Sequence, residues 1–215
     1  MQPPKSSLCV ICGCRPATTA EHVPPKGFLK GVVGQFPTVP ACAICNNGSS
    51  EDDEALRNYI SAQIGKQTTG AKSLWEKGAH KSLLRSTKIR SAFLSTLQEV
   101  EVTAADGSTV TQLKFFIPVS LYQRVFERIT RGLHFFHIGN ILPSDVPVQI
   151  NLLTTPPDLS SPEMQMFTKY SVAQDAFVYR YIHDAAESSN GVWLFTVHGS
   201  QWVQSSTGVL VENAF

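Results

Sequence analysis

The chain has 215 residues, 42% hydrophobic and 16% charged, with a formal net charge of +1. No apolar run approaches the roughly 20 residues of a membrane-spanning helix, and the near-neutral charge excludes a protein that coats nucleic acid by bulk electrostatics, because nonspecific affinity comes from Lys and Arg displacing counterions from phosphates. The length suits a small unit joined to a medium one.

Residues 1–7 have neither the apolar stretch nor the small-residue cleavage site of a secretory signal, so the expected location is the cytoplasm. In a reducing compartment, five cysteines crowded between positions 9 and 45 read as metal ligands rather than disulfides, and their odd number agrees. Cys9-Val-Ile-Cys12 and Cys42-Ala-Ile-Cys45 are C-x2-C knuckles about thirty residues apart, a spacing at which four thiolates converge tetrahedrally on one structural zinc. Cys14 is a bystander. A closed four-thiolate site folds the chain around it but has no open position for water, so any catalysis needs other residues.

Residues 1–50 are rich in Cys, Pro, Gly and Asn and lack an apolar period, which predicts loops and short strands pinned by metal. Ser50, followed by Glu51, Asp52 and Asp53 and then Leu56, Tyr59 and Ile60, predicts a capped helix start. The polar, Gly/Thr-rich stretch 66–73 suggests a boundary, giving units 1–65 and 66–215. Beyond it, Leu74, Trp75, Leu83, Leu84, Ile89, Phe93 and Leu97 read as helical segments broken near Gly78. Val100–Ala104 and Thr109–Ile117 alternate about Ala-Asp-Gly-Ser as a hairpin. Ser120 with Gln123 predicts a capping box for a helix of about four turns ending near Gly132 or Gly139. Val146–Leu153, Ala176–His183, Val192–His198 and Trp202–Gln204 are strand candidates. The expected class is α+β, a small N-terminal zinc-knuckle unit followed by a larger unit of helices and an antiparallel sheet. Arg124, Arg128 and Arg131 recur on one helical face, which reads first as a solvated face and second as a phosphate-tracking one. His134 and His137 read as packing residues.

Between the knuckles stands Glu21-His22-Val23-Pro24-Pro25-Lys26, and Asn46-Asn47 follows the second. With the cysteines, this order resembles the zinc-knuckle branch of the HNH endonucleases, the ββα-metal or His-Me finger group, over roughly residues 9–57. The resemblance implies a ββα-metal unit in which His22 is the general base that takes a proton from the attacking water, while Glu21 and Asn46 hold a divalent cation, Mg²⁺ or Mn²⁺. An imidazole titrates near the working pH, and hard oxygen donors suit such a cation. The family's middle Asn, which orients the base, is replaced by Gln35 or Pro37 depending on how the loop aligns. Gln35 has an amide able to steer the imidazole and Pro37 has none. Asn46 stands where the family name has its last His.

The resemblance therefore implies a hydrolase: an HNH-type endonuclease cutting phosphodiester bonds, in DNA rather than RNA, with the 66–215 unit gripping substrate or contacting a protein partner or second copy. The competing reading, favoured by the missing Asn, is a non-catalytic zinc-knuckle module that binds nucleic acid or a protein.

Overall fold

The computed structural model describes residues 5–32, 34, 36–62, 68–199 and 201–208. Thr19–His22 (β1) and Thr38–Ala41 (β2) pair antiparallel, with Glu21 opposite Val39 and His22 opposite Thr38. Side chains alternate along a strand. Glu21 and Val39 therefore turn inward and are buried, while His22 stays half-exposed. The short helix α1 (Ala43–Asn47) follows β2 directly, with Cys42 as its N-cap.

Helix α2 (Ser50–Ser61) starts where its acids predict, but Ser50 is its first helical residue and Ser49 precedes it without a side-chain cap. Helix α1 ends so close by that Ser49 Oγ donates instead to the carbonyls of Cys45, at 3.2 Å, and Asn46, at 3.0 Å. Those carbonyls lie at the C-terminal end of α1, where backbone acceptors lack a partner within the helix. From Thr69 the Gly/Thr-rich stretch is helical: α3 (Thr69–Leu74) is capped by Thr68 Oγ1, which accepts from Ala71 N at 3.2 Å. There is no break at Gly78. The helical path continues through a wider π turn, Trp75–Ala79, into α4 (His80–Arg85) and then α5 (Thr87–Leu94).

The hairpin forms about the expected turn, β3 (Leu97–Thr103) against β4 (Thr109–Phe115), but its first strand already begins at Leu97, which the apolar spacing reads as helical. The long helix α6 (Val119–Ile138) ends at Gly139, whose φ of 85° is the left-handed conformation that glycine adopts without a Cβ penalty. No capping box opens it: Pro118 precedes the first turn, and Gln123 Nε2 donates to Val148 O at 2.8 Å, so a carbonyl of the neighbouring sheet takes that amide.

That sheet is five-stranded and antiparallel, in the order β5 (Val148–Leu153), β9 (Gln201–Thr207), β8 (Gly191–Val197), β7 (Phe177–His183), β6 (Thr168–Val172). A short helix α7 (Pro162–Gln165) precedes β6. The chain is thus mixed α and β, with an antiparallel sheet as expected. The strand β6 carries no such signal: Thr-Lys-Tyr-Ser-Val is half polar and mostly exposed, and its strand character comes from pairing with β7.

Trp193, Phe195 and Val197 alternate onto the face of β8 that meets Phe126, Ile129 and Leu133 of α6 in one hydrophobic cluster. Fully burying each such side chain contributes about 1.5–3 kcal/mol. The cluster also takes in Val10, Val23 and Val39 from the cysteine-rich segment and Leu56 and Ile60 from α2. At Gly132 the approach is closest, since a Cβ there would lie 2.5 Å from Val23 Cγ1 and 3.5 Å from Val39 Cγ2. Thus α6 is the backing of the β1–β2 pair as well as of the sheet.

Candidate metal centre and adjoining cleft

The first knuckle is a tight loop. Cys9 N donates to Arg15 O at 2.7 Å, Gly13 N donates to Cys9 O at 2.8 Å, and Val10 N docks the loop on β2 by donating to Pro40 O at 3.0 Å. The second knuckle is the first turn of α1, where Cys42 Sγ accepts from Cys45 N at 3.4 Å. The Sγ atoms of Cys9, Cys12, Cys42 and Cys45 all lie within 4.8 Å of one another, which is the arrangement of a four-thiolate site able to bind a metal such as zinc. Cys9 and Cys42 are buried. The Cys42 thiol lies below its ordinary value, because the Cys45 amide donates to it and, against the effect of burial, Arg15 does too from 3.9 Å. Cys14 is exposed and outside the group. Among the described residues no second set of three or more His, Cys, Asp or Glu side chains comes this close together.

Glu21, His22 and Asn46 line one open cleft of about 530 Å³, together with Asp53, Glu54 and Arg57 of α2. Asn46 directly follows Cys45 of the four-cysteine cluster, which sets the cleft beside the thiolates. Its Nδ2 donates to Thr19 Oγ1 at 3.1 Å and to Ala20 O at 3.2 Å, tying α1 to β1. The amide nitrogen is thereby occupied, and the carbonyl oxygen is the atom left for a ligand. His22 has its pKa lowered from 6.5 by burial and by the nearby Lys26 charge, so the imidazole is neutral at pH 7 and able to accept a proton. Gln35 lies outside the described residues. Pro37, the other residue at that position of the motif, accepts through its carbonyl from Val23 N at 3.0 Å.

Glu21 is 4% exposed. Burial pushes its pKa up to about 7, the Arg128 guanidinium opposes that rise, and the Asp53 carboxylate adds to it. Arg128 Nε stands 3.5 Å from Glu21 Oε1, and its Nη2 is hydrogen-bonded to Asp53 Oδ1. Next to this trio, Arg124 holds Asp52 with two bonds, Nε to Oδ2 at 2.7 Å and Nη2 to Oδ1 at 2.8 Å. The arginine row of α6 is therefore not a uniform solvated face: Arg124 stays exposed, whereas Arg128 and Arg131 are buried among partners. Arg128 and Arg131 are each 6% exposed, and Arg131 donates to the carbonyls of Leu142, Pro143 and Val146. Helical spacing alone cannot tell a charged face in water from one that meets partners distant in sequence.

Asp53 lines the cleft and Arg128 stands behind it, a pairing that neither the helix-start reading of the one nor the helical-face reading of the other foresees. Asp52 and Asp53 are adjacent while Arg124 and Arg128 are one helical turn apart, so no matched spacing signalled their pairing. No family model, no curated protein and no solved structure matches this chain.

Proposed function

We propose that the chain is a metal-dependent phosphodiesterase of the HNH type, acting on nucleic acid, DNA before RNA, with the β1–β2 pair, α1 and the four-cysteine zinc site forming its ββα-metal unit. The observation that carries this reading is the shared cleft: a half-buried histidine, a buried glutamate and an asparagine next to the cysteine cluster all line it. Their donor chemistry fits a hard divalent cation, since Glu21 is a carboxylate whose burial alone leaves it wanting positive charge, and Asn46 offers its carbonyl oxygen. Such a cation, Mg²⁺ or Mn²⁺, would neutralise charge on the phosphate and the leaving oxygen. His22, kept neutral, removes the proton of the attacking water through a ring nitrogen. Arg128, itself held by Asp53, places its positive charge 3.5 Å from the Glu21 carboxylate.

The decisive experiment is a cleavage assay on supercoiled plasmid, single-stranded DNA and RNA with Mg²⁺ or Mn²⁺, run beside His22→Ala. Divalent-dependent cutting that the variant loses supports the reading. Nucleic-acid binding without cutting in any divalent metal replaces it with the non-catalytic zinc-knuckle module. One observation favours that second reading: Glu21 already has a cationic partner in Arg128.

A further inference from the structure

The whole chain carries a formal charge of only +1, yet residues 68–94, which build α3, the π turn, α4 and α5, hold six Lys and Arg against the single acid Glu76. From Thr69 to Arg85 the helical path is unbroken. Its inner side is apolar or small, with Ala71, Leu74, Gly78, Ala79 and Leu83 buried, and its outer side carries Lys72, Lys77, Lys81 and Arg85, all exposed.

Lys77, Lys81 and Arg85 are four apart and so share one face. Lys72 stands five before Lys77, and it joins the same face because the turn between them is wide: His80 N donates to Trp75 O, five residues back, so the π turn takes up one residue more than an α turn would. Such turns occur often at functional sites. Like charges one helical turn apart oppose helix formation, and surfaces that meet only water usually intersperse the two signs. Among the described residues no ion pair includes any of these four, whereas Lys88 further along is paired with Glu51 at 3.5 Å.

The row comes up to the cleft at Lys77. Lys26 and Gly27 line the cleft, and Lys30 and Gly31 follow them in the chain. Lys77 lies on Gly31, where an added Cβ would stand 2.5 Å from its Cδ and 3.2 Å from its Nζ. Lys30 lies in turn on Gly78, where a Cβ would be 3.3 Å from Lys30 Cδ and 3.6 Å from Arg57 Cδ, and Arg57 lines the cleft. Inside the cleft Glu21, Asp53 and Glu54 set carboxylates against an incoming phosphate, so a strand that reaches it needs cations outside.

We propose that Lys72, Lys77, Lys81 and Arg85, continued by exposed Lys30 and Lys26, form a track for the phosphate backbone of a nucleic acid and lead it into the cleft. The choice of nucleic acid among polyanions rests on the phosphodiesterase reading, whereas the single-signed row does not. Lysine and arginine on such a track displace the counterions of phosphates and read no bases, so the grip is independent of sequence and sensitive to salt.

The test uses the intact purified chain without Mg²⁺ or Mn²⁺, so that nothing is cut, and follows the fluorescence anisotropy of a labelled DNA duplex of about 20 base pairs across roughly 50–200 mM salt. The parent is expected to bind with a dissociation constant of about 1–100 μM. Lys77→Gln/Lys81→Gln/Arg85→Gln is expected to weaken binding at least tenfold and to flatten the slope of log K against log salt by about 2–3, since each phosphate contact contributes about 0.9. Its melting temperature should equal or exceed the parent's, because only mutual repulsion is removed, so a loss of binding is not a loss of fold. Lys114→Gln/Lys169→Gln, which removes exposed cations of β4 and β6, should bind as the parent does. No binding by the parent, parental affinity and slope in the triple variant, an equal loss in the double variant, or tighter binding to phosphatidylglycerol vesicles than to DNA overturns the track. With Mg²⁺ or Mn²⁺ added, binding that needs the row without cleavage of any nucleic acid removes only the phosphodiesterase reading. Cleavage at the parental rate by the triple variant removes only the track.

Discussion

The guanidinium of Arg128, midway along α6, stands 3.5 Å from the carboxylate of Glu21 near the end of β1. Both are almost wholly buried, and Asp53 shares the same guanidinium. One cation thus serves two carboxylates from two separate elements. Removing one partner of a buried ion cluster costs about 3–5 kcal/mol, because an uncompensated charge remains. Arg128→Met is expected to destabilise the protein by about that amount in urea unfolding, and Glu21→Gln in the Arg128→Met background is expected to restore part of the loss. Equal stability of Arg128→Met and the parent would contradict the role assigned to this arginine.

That the four-cysteine site binds zinc is tested by composition. Elemental analysis of freshly purified protein should give one zinc per chain, and a strong chelator should unfold the 5–47 segment, because four thiolates bind metal and fold as one event. Cys42→Ser is expected to lose the metal and Cys14→Ser to keep it, since Cys14 is exposed and outside the group. A full zinc equivalent in Cys42→Ser would show that the ligand set is wrong.

On the proposed phosphodiesterase reading of the cleft, His22→Ala is expected to lower cleavage by roughly 10²–10⁴-fold while leaving nucleic-acid binding and the melting temperature near those of the parent. Glu21→Gln is expected instead to raise the divalent-metal concentration needed for cutting. A His22→Ala protein that cuts at the parental rate would remove this residue as the base.

Gly132 sets how closely α6 can pack on β1 and β2. Gly132→Ala adds helix propensity worth about 1 kcal/mol, but its methyl carbon would arrive 2.5 Å from the stiff, buried Val23 side chain. Overpacking of this kind costs about 1–3 kcal/mol. The expected result is a net loss of stability in urea, and Val23→Ala in the same chain should relieve it.

Two histidines of α6 make stability fall in mild acid. Burial lowers the pKa of His134 and of His137 from 6.5 to about 4. His183 and Arg131 act in the same direction on His134, and His137 sits among Tyr170, Tyr179 and Tyr181, with a 2.7 Å hydrogen bond shared with Tyr179 Oη. Below about pH 6.5 the unfolded chain takes up protons that the folded one refuses, so stability declines from there down to about pH 4. Melting temperatures measured across that window should drop, by about 2–4 °C for each kcal/mol lost in a chain of this size. His134→Gln and His137→Gln should each flatten the profile, and a parental profile unchanged in both variants would sink the assignment.

The sequence by itself determined what local pattern can encode. Two C-x2-C pairs brought four thiols to one point, alternation laid out the hairpin and the strands β5, β7, β8 and β9, and apolar spacing with a glycine stop defined α6. Glu21, His22 and Asn46 were legible as a set, and they do share a cleft. Tertiary structure alone decided the rest, because burial and partner choice depend on residues far apart in the chain. Arg128 looks solvated until α2 arrives with Asp53, and exposed Arg124 gains Asp52 from the same helix, more than seventy positions away. Ser49 and Gln123 give their hydrogen bonds to whichever carbonyl comes nearest, which turned out to be α1 for one and β5 for the other. β6 became a strand because β7 offered it an edge, and Asn58 became an orphan donor because Arg57 claimed its oxygen.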